Sequence, residues 1–132
     1  MKQEEILQQV KDGRLTVEEA STLLKGIEDI GYAAIDLSRQ KRNGFPEIIY
    51  GEGKNIEQLI GIITAMNEHK TAILATRVNA EKGEALSQAF PEGVYEPLGR
   101  TFVLNPIAPK HEHYIAVVTA GTSDIPVAEE AA

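Results

Sequence analysis

Four short stretches of this sequence carry residue types whose spacing suits the binding of an anion. The first is Asp36-Leu37-Ser38-Arg39-Gln40-Lys41-Arg42-Asn43-Gly44-Phe45-Pro46-Glu47, in which three cations stand together with no acidic residue between Asp36 and Glu47. A guanidinium offers a planar fork to phosphate or carboxylate, and Phe45 offers a ring for stacking. The plain alternative is a solvated loop whose arginines pair with Asp36 and Glu47. The second stretch, Gly51-Glu52-Gly53-Lys54, resembles a phosphate loop only in part. A Walker loop needs Gly five residues before its Gly-Lys pair and Ser or Thr after it, where Ile48 and Asn55 stand. A strand-to-helix turn fits better, with Lys54 as an optional anion contact. The third, Leu74-Ala75-Thr76-Arg77, ends an expected strand at its carboxyl edge, the side on which open α/β sheets place ligands. A surface ion pair accounts for Arg77 almost as well. The fourth, Gly121-Thr122-Ser123-Asp124, lies between the apolar run 114–118 and a helix start at 125–131 with Pro126 in its first turn. Backbone N–H groups and the helix dipole converge on an anion in such a turn. Thr122 and Ser123 would donate to a phosphate and Asp124 would take ribose hydroxyls, while Ser123 or Asp124 caps the helix in either reading. His111-Glu112-His113 places two imidazoles on one extended segment, short of the three protein ligands a metal site wants.

These stretches need elements to hold them. Residues 3–25 predict a helical hairpin, with Ile6, Leu7 and Val10 on one stripe, Gly13 as a stop, and Thr16-Val17-Glu18-Glu19 as a capping box. Gly26 ends the second helix. Residues 32–37 and 47–50 read as strands around the basic loop 38–44. Asn55 caps a helix whose Ile56, Leu59, Ile60, Ile63 and Met66 recur at helical spacing. Residues 71–76 form the next strand, and Asn79 caps a helix carrying Ala80, Leu86 and Phe90. The alternation predicts parallel pairing through crossovers, with 94–96 and 101–104 as shorter strands. The fold class is therefore α/β, a small two-layer or three-layer domain with βαβ units after the hairpin. Residues 1–104 make this domain, 105–113 with two prolines a linker, and 114–132 the first strand, turn and helix start of a further, truncated Rossmann-type domain.

A chain of 132 residues suits one domain. A net charge of −7 and pI near 5.0 weigh against a general nucleic-acid binder, and four Tyr with three Phe leave little for base stacking. No cysteine is present, so disulfides, thiolate metal sites and cysteine catalysis are absent from these residues. No signal-peptide pattern opens the chain and the apolar stretch 59–66 is too short to span a bilayer, so the expected location is cytoplasmic, with no membrane partner.

Taken in order, Asp36-x-x-Arg39-x-x-Arg42-x-Gly44-Phe45-Pro46-Glu47, Tyr50-Gly51-x-Gly53-Lys54, Leu74-Ala75-Thr76-Arg77 and residues 119–131 resemble the LarB family. The last motif is also similar to the phosphate-binding turn of phosphoribosylaminoimidazole carboxylases. The resemblance implies a pyridinium biscarboxylic acid mononucleotide synthase of nickel-pincer nucleotide synthesis, which makes the lactate racemase cofactor. Such an enzyme adds carbon dioxide or bicarbonate to the pyridinium ring of nicotinic acid adenine dinucleotide and releases AMP. It implies a covalent step on a cysteine, which would lie in a missing domain, so this piece is expected to be inactive alone. Carried over by position, Arg39, Arg42, Lys54 and Arg77 would contact pyrophosphate or carboxylate, Asp36, Phe45 and Glu47 would shape the pocket, and Thr122, Ser123 and Asp124 would bind phosphate and ribose. No cofactor is expected on these residues, Mg2+ is admitted only for the complete enzyme, and that enzyme is expected to be a homo-oligomer. The competing reading is a stand-alone nucleotide- or phosphate-binding module that uses the loop at 39–42.

Overall fold

The computed structural model describes residues 3–37, 39–110 and 112–132, with the side chains of residues 27, 28, 41 and 42 outside that description. The chain divides into two compact units, Met1–Glu47 and Ile48–Ala132.

In the first unit, α1 (Gln3–Lys11) and α2 (Val17–Lys25) pack as the expected hairpin. Thr16 caps α2 through a complete capping box: its hydroxyl oxygen accepts from the Glu19 amide at 3.1 Å, and Glu19 accepts from the Thr16 amide at 2.8 Å. Those donations to Glu19, from the Thr16 amide first and its hydroxyl second, hold the carboxyl below its ordinary value. Gly26 closes α2 in the left-handed conformation, φ 67°, which a residue without Cβ adopts at least cost. The chain then forms an antiparallel ribbon of β1 (Ile27–Asp29) and β2 (Ala34–Asp36). The sequence reading has no counterpart to β1, because three residues carry too little pattern to declare a strand. It also makes 38–44 a loop, whereas Arg39–Asn43 forms a short helix, α3, ending at Gly44 with φ 82°. Ile6, Ala20 and Ile35 are the buried apolar side chains here, among the described residues.

The second unit is built on a four-stranded mixed sheet, order β3-β4-β6-β5, from β3 (Ile48–Tyr50), β4 (Ile73–Thr76), β5 (Val94–Glu96) and β6 (Thr101–Leu104). β3 and β4 pair in parallel, with Tyr50 opposite Thr76, and α4 (Ile56–Glu68) connects them. This is the expected βαβ unit. The second crossover, α5 (Ala80–Ala89), carries the chain to β5 at the edge, and β6 returns antiparallel to fill the place beside β4. The sequence reading assigned no direction to the two shorter strands; β6 is antiparallel to both of its neighbours, and the short turn after β5 makes it a hairpin return.

Asn55 caps α4 through a second capping box with Gln58, and α4 buries Leu59, Ile62, Ile63, Ala65 and Met66. Ile56 and Ile60, expected on that stripe, are only half-buried. Asn79 accepts from the Lys82 amide at 2.9 Å to start α5, which buries Leu86 but leaves Ala80 exposed. Leu59, Ile63, Leu86 and Phe102 are wholly removed from solvent. Each such side chain contributes about 1.5–3 kcal/mol by burial.

After Asn105 the described residues form no regular structure until α6 (Ile125–Ala131). The expected strand at 114–118 is not formed. Tyr114, Ile115 and Val118 are 89%, 94% and 89% exposed, because no strand among the described residues lies beside them to complete a ladder.

Candidate functional site

The basic motif of the first unit folds onto itself. The Arg39 guanidinium lies 3.8 Å from the Glu47 carboxylate and 6.0 Å from the centroid of the Phe45 ring. The other Glu47 oxygen accepts from the backbone N–H of Asp36 at 3.2 Å, so Glu47 ties β2 to α3. Asp36, Arg39, Phe45 and Glu47 therefore gather in one place, as both the anion reading and the plain ion-pair reading require. Arg39 Nε is buried and finds no hydrogen-bond partner among the described residues, while the Phe45 ring is half-exposed. The ion pair alone does not satisfy the fork, and a buried unpaired N–H costs about 1–3 kcal/mol. The Arg42 side chain, also expected here, and Ser38 lie outside the described residues.

The carboxyl edge of β3 and β4 in the second unit is a separate arrangement. Gly51, directly after β3, donates to the Thr76 carbonyl at 2.8 Å, and a Cβ on it would stand 2.8 Å from that oxygen. Only glycine admits so close an approach of the two strand ends. Arg77 follows in the left-handed region, φ 54°. Its neighbours fix it there: the Val78 amide donates to the Arg100 carbonyl at 2.8 Å, and the Tyr95 hydroxyl donates to the Val78 carbonyl at 3.0 Å. Arg100 is itself at φ 55°.

Charge collects on that edge. Arg77 Nε meets the Glu130 carboxylate of α6 at 3.1 Å. The Tyr50 hydroxyl donates to Glu52. That donation lowers the Glu52 carboxyl below its ordinary value, with the fields of Arg77, Arg100 and Lys82 acting in the same direction, and it raises the Tyr50 phenol. Lys82 Nζ donates to the Gly51 and Glu52 carbonyls at 2.9 and 3.3 Å, and Lys54 Nζ to the Tyr50 carbonyl at 2.9 Å. Lys54, expected as an anion contact, thus holds the turn before α4. Glu52, Lys82, Arg100 and Glu130 stand in none of the side-chain roles read from the sequence, since only the sheet, α5 and α6 bring them to this edge. The one available signal was position: Tyr50 and Arg100 flank expected strand ends.

The turn at Thr122, Ser123 and Asp124 is exposed. Asp124 occupies the N-cap position of α6, but its backbone, φ −93° and ψ −10°, is helical and its side chain makes no cap. Capping needs an extended N-cap residue to swing the carboxylate back over the amides, so the expected cap is absent. Asp124 lines an open cleft of about 430 Å³ with Val117, Val118, Val127 and Ala128. His111 lies outside the described residues, and no three His, Cys, Asp or Glu side chains converge among those described. No described helix is long and apolar enough to cross a membrane.

A parallel βαβ unit with Arg77 and Arg100 at its carboxyl edge, extended by an antiparallel hairpin, defines a small α/β domain. Residues 27–106 match the LarB/PurE-like N-terminal domain, and the chain belongs to that family. It is also 33% identical over 111 residues to the uncharacterized protein MJ0165 of Methanocaldococcus jannaschii, an alignment that covers 74% of this chain and 41% of the relative. The chain thus spans less than half the length of that relative.

Proposed function

We propose that this chain is the N-terminal part of a carboxylase and hydrolase acting on nicotinic acid adenine dinucleotide, in which it binds and orients the substrate. The observation that carries the reading is the match of residues 27–106 to the LarB/PurE-like N-terminal domain. The gathered Asp36, Arg39, Phe45 and Glu47 support it, since a guanidinium with an unsatisfied Nε beside an exposed ring suits a carboxylate or phosphate on an aromatic nucleotide. Arg77 and Arg42 are assigned to the same kind of contact, and Thr122, Ser123 and Asp124 to phosphate and ribose once a following domain covers them. A pyridinium carbon is electrophilic, so it must accept a nucleophile before it can attack carbon dioxide. The chain contains no cysteine, so in this reading ring activation falls to a residue outside it. In the same reading any Mg2+ is assigned to the complete enzyme; among the described residues no three His, Cys, Asp or Glu side chains converge.

The test is turnover. A protein comprising this chain and the segment that follows it, given the dinucleotide and bicarbonate, is expected to release AMP and a carboxylated mononucleotide, both read by mass spectrometry. Arg39→Ala is expected to lower kcat/KM by at least about tenfold, the cost of one charged hydrogen bond. Absence of both products from folded protein would refute the assignment. A second reading, a nucleotide-binding module without turnover, is favoured by the same unsatisfied Arg39 Nε. Calorimetric titration of AMP and of the dinucleotide into the chain alone separates the two: saturable heat abolished by Arg39→Ala supports the module, and a flat trace removes it.

A further inference from the structure

The two partners of the Arg77–Glu130 ion pair are held very differently. Arg77 is anchored on both sides: Thr76 is bonded to Gly51, Val78 to Arg100 and Tyr95, and the left-handed backbone at Arg77 fixes where its side chain begins. Glu130 rides on a seven-residue helix with no side-chain N-cap and no buried residue. A helix that short does not sustain itself in water and needs tertiary contacts. Two contacts hold the end that carries Glu130. One is the 3.1 Å bridge to Arg77; the other is a flush approach at Gly99, where a Cβ would stand 2.9 Å from the Glu130 amide nitrogen and 3.0 Å from the Glu129 carbonyl carbon. A fixed cation therefore faces a detachable carboxylate, at a strand edge where Arg100 and Lys82 add positive field in a chain of net charge −7.

We propose that Arg77 is an oxyanion-binding group which the chain occupies internally with the Glu130 carboxylate, so that α6 acts as a latch displaced by a phosphoryl or carboxylate ligand. The geometry gives the reason for competition: one guanidinium fork, 39% exposed, cannot serve Glu130 and a second oxyanion in the same directions. The inference rests on the reading of Arg77 as an anion contact, but its test requires no turnover.

Inorganic phosphate and, separately, acetate are titrated into the whole chain while backbone amides are followed by two-dimensional NMR. Shifts centred on Thr76, Arg77, Val78 and Arg100 are expected, and Glu130→Gln is expected to bind about two- to fivefold more tightly than wild type, the range that loss of an exposed competing ion pair allows. Arg77→Ala should lose the response in both backgrounds. Gly99→Ala, which forces α6 away without touching either charge, should tighten binding as Glu130→Gln does. Preference for one anion over the other assigns the ligand as phosphoryl or carboxylate. Equal affinity of wild type and Glu130→Gln, or shifts that avoid residues 76–78, would overturn the latch. Failure of the extended protein to make AMP leaves this result untouched, so the two ideas fail independently.

Discussion

Tyr50 and Glu52 stand two residues apart at the end of β3, and the hydroxyl of the first donates to the carboxylate of the second. Glu52 owes its lowered pKa first to the Tyr50 hydroxyl, with Arg77, Arg100 and Lys82 following and desolvation opposing. A carboxyl depressed in the folded state contributes stability that is present above its unfolded pKa and is lost as pH falls through the folded value. Tyr50 runs the other way: its phenol is raised above 10.0, so its contribution is present below that value and lost as pH rises through the folded one. Replacing Tyr50 by Phe is expected to move the Glu52 midpoint upward toward the ordinary carboxylate value, read from the side-chain carboxyl carbon in an NMR titration. An unmoved midpoint would mean that the surrounding cations, not the phenol, depress Glu52. The same loss of the hydroxyl should flatten the acid limb of the stability curve.

Helix α5 shows how an element is placed by what one residue lacks. Gly83 lies mid-helix, where glycine costs about 0.5–1 kcal/mol relative to alanine. A Cβ at that position would run into the Tyr95 ring of β5. Tyr95 cannot easily yield, because its hydroxyl is bonded to the Val78 carbonyl, and burial first, with Glu96 second, keeps the phenol protonated by raising its pKa. Gly83→Ala is therefore expected to destabilise the fold by about 1–3 kcal/mol in urea unfolding, overpacking outweighing the gain in helix propensity. A stabilised variant would show that α5 does not lie as close to β5 as described. Since Tyr95 also holds Val78 beside Arg77, the same substitution connects helix packing to the anion edge.

Over the molecule as a whole, order is concentrated in the four-stranded sheet with its two helices, and the stretch between Asn105 and α6 has neither ladder nor buried side chain among the described residues. Limited chymotrypsin treatment is expected to cleave after Tyr114 well before Phe90, Tyr95 or Phe102, which β5, β6 and α5 enclose. Mass spectrometry of early fragments checks this, and early cuts at Phe102 would contradict the packing. If the full-length protein proves resistant at Tyr114, a following domain covers that stretch, as the proposed function requires.

Much of the fold was legible because its signals are local. The capping boxes at Thr16 and Asn55, the stops at Gly13 and Gly26, and the apolar stripe of α4 each depend on residues within one or two turns, and the motif order pointed to the family. The clustering of Asp36, Arg39, Phe45 and Glu47 was legible for the same reason, since a dozen residues of chain connect them. What the sequence could not fix were contacts made across the sheet: the return of β6 between β4 and β5, the seating of Gly83 on Tyr95, and the pairing of Arg77 with Glu130. Charge and side-chain type specify what a residue can bind, but only the path of the backbone brings distant partners within 3 to 4 Å, where that capacity acts.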